Sequence, residues 1–543
     1  MTFHQLYDVG FMVGLLDVWY PRALTQIDRD PDSPTYGSCD RHFWMYRLHD
    51  FDSGVLQQTS LTLAALSGLA EAGAFSGCRY LKAEHAPFWR ELALAINRRT
   101  AGLLRRRGML DEYYPAERSY PGTVFAAYAA LKSALMLEQT DVIASAGMQS
   151  AARALSLRGP SPAANQDAAA AAFLLLYAAT HGDRTCAEAA TRMLGGERAA
   201  GHFREYGGAD IGYGSVTLAY LASMRADGTR DTADLLRALG AFLAAFVTPG
   251  GRFGGEFASR STTYVLPFGF LETAYLDPLM AARFGALDLR AAFEKLDDRY
   301  LMHYCMPSLA MAALRLLLRG VPAVDPSPAD DVWTDEFFPN DAIWVLRRGR
   351  TAVHLGLNKG GAFQVEVDGG TYIDCGYRIR LGGQTYSTCV LDEKPQYTVS
   401  RDGSVVEWRI RAAFWRYGTL TASSTKTVIL RLLQFLGTRF NAYFKSVLIK
   451  KARRLEGVEL ERVVCVDLAN NTARVSDVVR GAPEVATVRP APAASPRLVP
   501  SAKFYQDGEE AAFLRHRDES GTVTAERTFH IGGARLTRES TPK

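Results

Sequence analysis

The stretch VPAVDPSPAD, residues 321–330, divides the chain into two parts that read differently. It holds three prolines in ten residues, which is linker punctuation. Upstream, from about Val55 to Leu318, segments rich in Ala and Leu follow one another: VLQQTSLTLAALSGLAEA, FWRELALAINRRTAGLLRRR, TVFAAYAALKSALML, SVTLAYLASM and LLRALGAFLAAF. Their apolar residues recur at three and four positions, the helical period. Short Gly, Pro or Asp breaks separate roughly ten or eleven such helices, with no fixed-period repeat of the kind that marks solenoids. Helical hairpins of this number suit an (α/α) toroid. Downstream, period-2 segments such as IWVLRR, AFQVEV, VVEWRI and VELERVVCV alternate with turns such as RRGR and RDG, the pattern of antiparallel sheets. The expected fold is α+β multidomain: an (α/α) toroid over 1–320, a linker over 321–333 and a C-terminal antiparallel β-sandwich over 334–543. Within the sandwich, GAPEVATVRPAPAASPRLVP (481–500) carries five prolines and reads as a mobile loop.

The bulk numbers narrow the function classes. The 543 residues, 48% hydrophobic, suffice for a large core, and the net charge of +4 gives no reason to expect nucleic-acid binding. Seven scattered cysteines without a CxxC fit a reducing compartment rather than a disulfide framework or a zinc site. No metal or other cofactor is expected. No basic region precedes the apolar VGFMVGLL near the N-terminus, so a signal peptide is not read there. The longest apolar run, Ala168 to Ala179, is twelve residues, short of the ~20 that span a bilayer. A soluble cytoplasmic protein is the expectation. One insert departs from the sandwich pattern: 426–454 contains eight Lys or Arg and no Asp or Glu. Leu433, Leu436, Phe440, Phe444, Val447 and Leu448 share one helical face there. Such a helix either packs on the sandwich with a solvated basic edge or lies on an anionic membrane surface, peripheral to the inner membrane.

Four constellations carry chemistry. In SCDRHFWMYRLHDF (38–51), Arg41, His42, Arg47 and His49 stand among Trp44 and other aromatics. Rings stack on sugars and arginine pairs with carboxylates, so the segment suits an acidic saccharide; it equally suits a packed N-terminal segment. Asn165, Gln166 and Asp167 precede a very apolar helix, as an N-cap or as donors to a substrate carboxylate. EYGGADIGYGS (205–215) brings Tyr206, Asp210 and Tyr213 between glycines, with His202 just upstream and Ser215 as the expected N-cap of the next helix. GGRFGGEFASRSTTYVLPFG (250–269) carries Glu256 and Arg260, a candidate orienting acid and carboxylate clamp or a surface salt bridge.

This arrangement resembles the heparinase II/III-like family of polysaccharide lyases. The resemblance rests on the Asn165-Gln166 pair before an apolar helix, the EYGGADIGY and GGEFASR loops, and the sandwich entry FFPNDAIWVLRRGRTAVHLGLNKGG. It implies cleavage of uronic-acid-containing glycan by β-elimination. It gives Asn165 the role of neutralising the sugar carboxylate and Tyr213 that of base or acid, with Tyr206 as alternative and Arg260 binding substrate. The family's sandwich contributes histidines in a Gly-His-x-His-x-Asp run. Here GGAFQVEVDGG (360–370) keeps Asp368 but has Ala362 and Gln364 at those positions. His202, His303 and His354 are the substitutes to consider, His354 alternating on a strand as a structural residue would.

Two other readings compete. Toroidal glycosidases oppose two carboxylates, and Asp167, Glu205, Asp210 and Glu256 offer such a pair. A non-catalytic glycan-binding factor of polysaccharide assembly is the third. No Walker loop, GxSxG, HExxH or EF-hand loop is present.

Overall fold

The computed structural model describes residues 4–39, 44–195, 198–199, 202–325, 332–417, 423–435, 453–492, 505, 508–518, 524–532 and 537–542. Twelve principal helices alternate between two rings. The outer ring comprises α1 (Val9–Thr25), α3 (Ala86–Leu104), α5 (Ala146–Ser156), α7 (Arg184–Leu194), α9 (Ala233–Ala244) and α11 (Pro278–Gly285). The inner ring comprises α2 (Thr59–Glu71), α4 (Tyr120–Met136), α6 (Ala164–His181), α8 (Ile211–Ala226), α10 (Pro267–Ala274) and α12 (Met306–Arg319). Each inner helix touches the next, and α12 returns to α2, so the ring closes. Inner helices are apolar nearly all round because they bury both faces; α6 has an unbroken buried run from Asp167 to Tyr177. The stretch Asp298–Arg319 is long and apolar enough to cross a membrane, yet it contains the ring-closing helix and is mostly buried.

The inner helices start on one face of the toroid. Tyr120, opening α4, donates its hydroxyl to Asp167 in the first turn of α6 at 2.9 Å. Tyr213 in the first turn of α8 meets Tyr264 just before α10, and Tyr264 stacks on Tyr300 just before α12. Six helix N-termini around one mouth sum their partial positive charges toward it.

Beyond the linker, the described strands form two antiparallel sheets. The smaller runs β1 (Thr334–Phe338), β2 (Ile343–Arg348), β3 (Thr351–Gly356), β4 (Ala362–Val367) and β5 (Gly370–Asp374) in chain order. The larger contains β6 (Tyr377–Leu381), β7 (Gln384–Ser387), β8 (Gln396–Asp402), β9 (Val405–Tyr417), β10 (Arg454–Asp467), β11 (Thr472–Arg480), β12 (Thr487–Pro490), β13 (Thr524–His530) and β14 (Thr537–Pro542). Its order is β12-β6-β7-β9-β10-β11-β13-β14, with β8 also on β9. The stretch expected as a mobile loop thus supplies an edge strand: Tyr377 to Arg380 pair with Pro490 back to Thr487. Proline is tolerated there because an edge strand needs fewer ladder donors. Residues 493–500 lie outside the described residues.

The small sheet is a shared layer. Ile343 and Val345 belong to the toroid core, while their strand neighbours Trp344 and Leu346 belong to the sandwich core. Polar side chains on its toroid side are spent on the seam. Arg347 donates to the carbonyls of Ala244 and Val247, at 3.0 and 3.2 Å, where α9 ends. Glu366 accepts from Gly250 N and Thr248 Oγ1 at 2.9 and 3.1 Å. In the basic insert, helix Ser424–Phe435 is described, and its Val428, Ile429 and Leu432 are exposed rather than packed on the sandwich. The expected apolar face from Leu436 onward lies outside the described residues, and the side chain of Leu433 is not described.

Candidate functional site

The site is built from the first turns of α6 and α8 and the two loops that meet them. Helix α6 has Ala163 as its N-cap, with no side-chain cap, in place of the expected Asn165 or Asp167. Its cap comes from across the chain. Glu205 Oε1 accepts the Asn165 backbone N–H at 2.7 Å and the Asn165 side-chain N–H at 2.8 Å. Both residues are buried. Burial pushes the Glu205 carboxyl up to about 8, against the bonds from Asn165 and the charge of Arg260, so it is mostly protonated at neutral pH. Its other oxygen has no hydrogen-bond partner.

After Glu205 the chain turns through a left-handed pair, Tyr206 at φ 54° and Gly207 at φ 92°. Helix α8 then begins at Ile211, four residues before the expected Ser215 cap. Asp210 is its N-cap, taking Tyr213 N at 3.0 Å. Tyr213 therefore sits in the first helical turn rather than in a preceding loop. Asp210 also accepts Arg260 N at 2.9 Å and Thr262 N at 3.3 Å, and the Thr262 hydroxyl as well. One carboxylate so clamps the Arg260 loop to the start of α8. The approach is close: a Cβ on Gly212 would lie 2.4 Å from Thr262 Oγ1, so only glycine fits.

The clamp lays Arg260 over two rings. Its guanidinium carbon is 4.4 Å from the Tyr206 centroid and 5.4 Å from that of Tyr213. Burial works against the Arg260 charge, but its neighbours Tyr213, Tyr206, Glu205 and Asp210 raise its pKa above the ordinary guanidinium value. Arg260, Tyr206, Tyr213, Glu205 and Asn165 thus share one corner of the N-terminal mouth.

A row of tyrosines leads away from that corner. Tyr213, Tyr264, Tyr300 and Tyr304 follow with centroids 5.5–5.6 Å apart. At its far side Arg299 lies over Tyr113, 4.8 Å from the centroid, with Glu112 Oε1 at 3.9 Å. A π-helical turn, Leu301–Cys305, interrupts the helix beside them. None of Glu112, Tyr113, Arg299 or Tyr300 stands in a recognisable motif. Their signal is an Arg-Tyr pair and a Glu-Tyr-Tyr run preceding inner helices, legible only once the mouth is known.

Other expected residues lie elsewhere. His202 is buried in the domain seam: its Nε2 is 2.9 Å from Asp341 Oδ2, off hydrogen-bond alignment, and its ring stacks on Phe242 at 4.0 Å. His354 is stacked on Phe257 at 4.7 Å, with burial and Arg347 lowering its pKa to about 3, hence neutral. His303 Nδ1 meets Thr59 Oγ1 at 2.6 Å inside the toroid. Gln364, where the resemblance led to the expectation of a histidine, faces the toroid, and its Oε1 would touch a Cβ on Gly255. Glu256 is buried at the same seam. Asp167 is taken by Tyr120 and by Ser161 N at 2.8 Å, burial raising it to about 6. Gln166 is half-buried in the first turn of α6. Asp40, Arg41, His42 and Phe43 lie outside the described residues. Trp44–Met45 pairs with Leu48–His49 in a hairpin with Tyr46 97% exposed and Arg47 exposed, so this tip projects from the toroid. His49 Nε2 lies 3.9 Å from Asp52, which Arg99 holds at 2.6 Å.

The sequence matches no protein-family model and no curated protein. Among solved structures the chain is similar to a Paenibacillus xanthan lyase, at 9% identity and TM-score 0.46, over 89% of this chain and 46% of that one. It therefore spans about half the length of that lyase. It is also similar to the Streptomyces coelicolor A3 chondroitin AC lyase in complex with chondroitin sulphate, at 9% identity and TM-score 0.45, over 87% and 71%. A GH127 β-L-arabinofuranosidase from Geobacillus stearothermophilus T6 matches at 10% and 0.35, over 78% and 94%. Likeness at this level assigns no activity and no residue role to this chain.

Proposed function

We propose that the protein is a polysaccharide lyase of the heparinase II/III-like kind, cleaving uronic-acid-containing glycan by β-elimination. The observation that supports this most is Arg260 laid over Tyr206 and Tyr213 beside the buried Asn165–Glu205 pair, at a mouth ringed by helix N-termini. Elimination needs the uronate carboxylate neutralised so that the C5 proton becomes acidic. Arg260 supplies a cation, and the Glu205-bound Asn165 amide and protonated Glu205 supply neutral donors nearby. Tyr213, or Tyr206 in its place, reacts as the phenolate and takes the C5 proton. The C4–O4 bond then breaks, C4=C5 forms, and the departing oxygen receives a proton from the same phenol. Arg260 balances the negative charge that passes through this corner. Three of the four carboxylates suited to a hydrolytic pair are otherwise engaged: Asp210 in the loop clamp, Asp167 with Tyr120, and Glu205 with Asn165.

The test is purified protein with a panel of acidic polysaccharides, read by the ultraviolet absorbance of an unsaturated uronate. Tyr213→Phe is expected to lose about 10²–10⁴-fold in rate with its fold intact. New reducing ends without that absorbance would mean hydrolysis and refute the reading. We also propose that the basic insert seats the protein on the cytoplasmic face of an anionic membrane, from the exposed Val428, Ile429 and Leu432 and from a sequence with eight Lys or Arg and no Asp or Glu over 426–454. Flotation with liposomes that is indifferent to anionic lipid would remove that part.

A further inference from the structure

On the sandwich, one loop away from Tyr206, lies a cavity of about 520 Å³ lined by Leu391, Glu393, Lys394, Arg411, Trp415 and Glu459, among others. That volume falls in the ~300–1,000 Å³ range of small-ligand sites. It adjoins the toroid: a Cβ on Gly208 would lie 3.2 Å from Leu391, and one on Gly207 3.8 Å from Glu393 Oε1. The loop is fixed from beneath by Asp392 N donating to Asn358 O at 2.7 Å, and within itself by Lys394 N donating to Asp392 Oδ1 at 2.9 Å.

Strand β9 shapes the cavity floor. Trp408, Ile410 and Phe414 point into the sandwich, and Arg409 and Arg411 point out. The β9–β10 register shifts between Ala413 and Trp415. Trp415 follows the alternation of Arg409 and Arg411 onto the outward side and is half-buried on the cavity wall. The charged lining is balanced: Lys394, Arg411 and Arg454 against Asp392, Glu393 and Glu459. Arg411 is itself exposed and 3.7 Å from Glu461, and Arg454 pairs with Glu459 at 2.7 Å. A tryptophan face with both acceptors and donors suits a sugar ring bearing hydroxyls. It offers no excess cation for a carboxylate, in contrast to the Arg260 corner.

We infer that this cavity, adjoining the Tyr206–Gly208 turn of the proposed site, is a neutral-sugar subsite, so that the substrate is a heteropolysaccharide with a uronate at Tyr213 and a neutral hexose farther along. This rests on the proposed lyase reading for the uronate, and its test has an arm independent of cleavage. Neutral gluco-, manno- and galacto-oligosaccharides are titrated into wild type and Trp415→Phe, with tryptophan fluorescence as readout. Saturable quenching that is lost or reduced at least threefold in Trp415→Phe supports the subsite. Absence of binding by all three sugars overturns it, whatever the elimination assay shows. In the cleavage arm, Trp415→Ala and Arg411→Ala should raise KM about 5–20-fold for long glucuronate–glucose heteropolymer and leave kcat unchanged. The shortest cleaved oligosaccharide should be unaffected. A KM shift equal at all lengths, or none, overturns the inference while leaving the lyase reading standing. Sugar binding without any elimination sinks the lyase reading alone.

Discussion

Glu205 caps helix α6 from another loop, accepting two bonds from Asn165 at 2.7 and 2.8 Å through a single oxygen. A buried acid in that position prefers to keep its proton, and its carboxyl sits at about 8 against an ordinary 4.5. The helix start and the acid's protonation are therefore one coupled feature.

The first prediction is a pH dependence of stability. The folded-state pKa of Glu205 is raised, so its contribution is fully present below about 4.5 and is lost as pH rises through about 8. The separation corresponds to at most about 5 kcal/mol. Glu205→Gln cannot titrate and should flatten this part of the profile. Urea unfolding of both proteins between pH 5 and 9 measures it; parallel profiles would rule the coupling out.

Arg260→Lys keeps the charge and loses the planar face that lies over Tyr206 and Tyr213. Activity toward acidic glycan should fall about 10–100-fold in kcat/KM, roughly 1.4–2.7 kcal/mol, with little change in melting temperature. Activity equal to wild type would show that charge alone suffices there.

Asp210→Ala removes the α8 cap and the clamp on Arg260 N and Thr262 N together. It should cost about 1–3 kcal/mol of stability and lower activity more than Ser259→Ala, which removes a hydroxyl lying 3.3 Å from Glu205 O and 3.5 Å from Gly208 O. Chemical denaturation and rate assays on the two variants separate the effects; an unchanged denaturation midpoint in Asp210→Ala would contradict the clamp.

A fourth prediction concerns the sandwich alone. Arg462, wholly buried, donates to Asp477 at 2.7 and 2.8 Å, to Asp374 at 2.9 Å and to Gly361 O at 2.7 Å. Arg527 joins both carboxylates and Arg515 joins Asp374, and the three cations hold Asp374 far below the usual carboxylate range in spite of its burial. Arg462→Met should destabilise by about 3–5 kcal/mol, because it strands buried charge. A loss under about 1 kcal/mol in urea unfolding would mean that Arg527 compensates.

Much of the site was legible as residue types and little as geometry. Asn165, Tyr206, Tyr213 and Arg260 stand out because polar and aromatic groups crowd between glycines and helix starts. Their partners do not, since Asp210 reaches Arg260 across 50 residues and Glu205 reaches Asn165 across 40. The displaced helix start has the same cause: Ser215 looks like a cap locally, but its hydroxyl donates to Gly212 O and Tyr264 O at 2.7 Å within the helix. His202 looked catalytic for its nearness to Tyr213 in sequence, while Asp341 and Phe242 draw it into the seam.

By itself the sequence determined the succession of elements: helical periodicity before Val321, strand periodicity after Thr334, and prolines between. These are local properties, set by how a side-chain pattern meets a period of 3.6 or 2. Only the tertiary structure decided that the helix ring closes from α12 to α2, and that β2 divides its residues between two cores. It alone decided which tyrosines Arg260 covers. Those outcomes depend on burial shared between segments distant in the chain, and no periodicity within one segment records what will cover its second face.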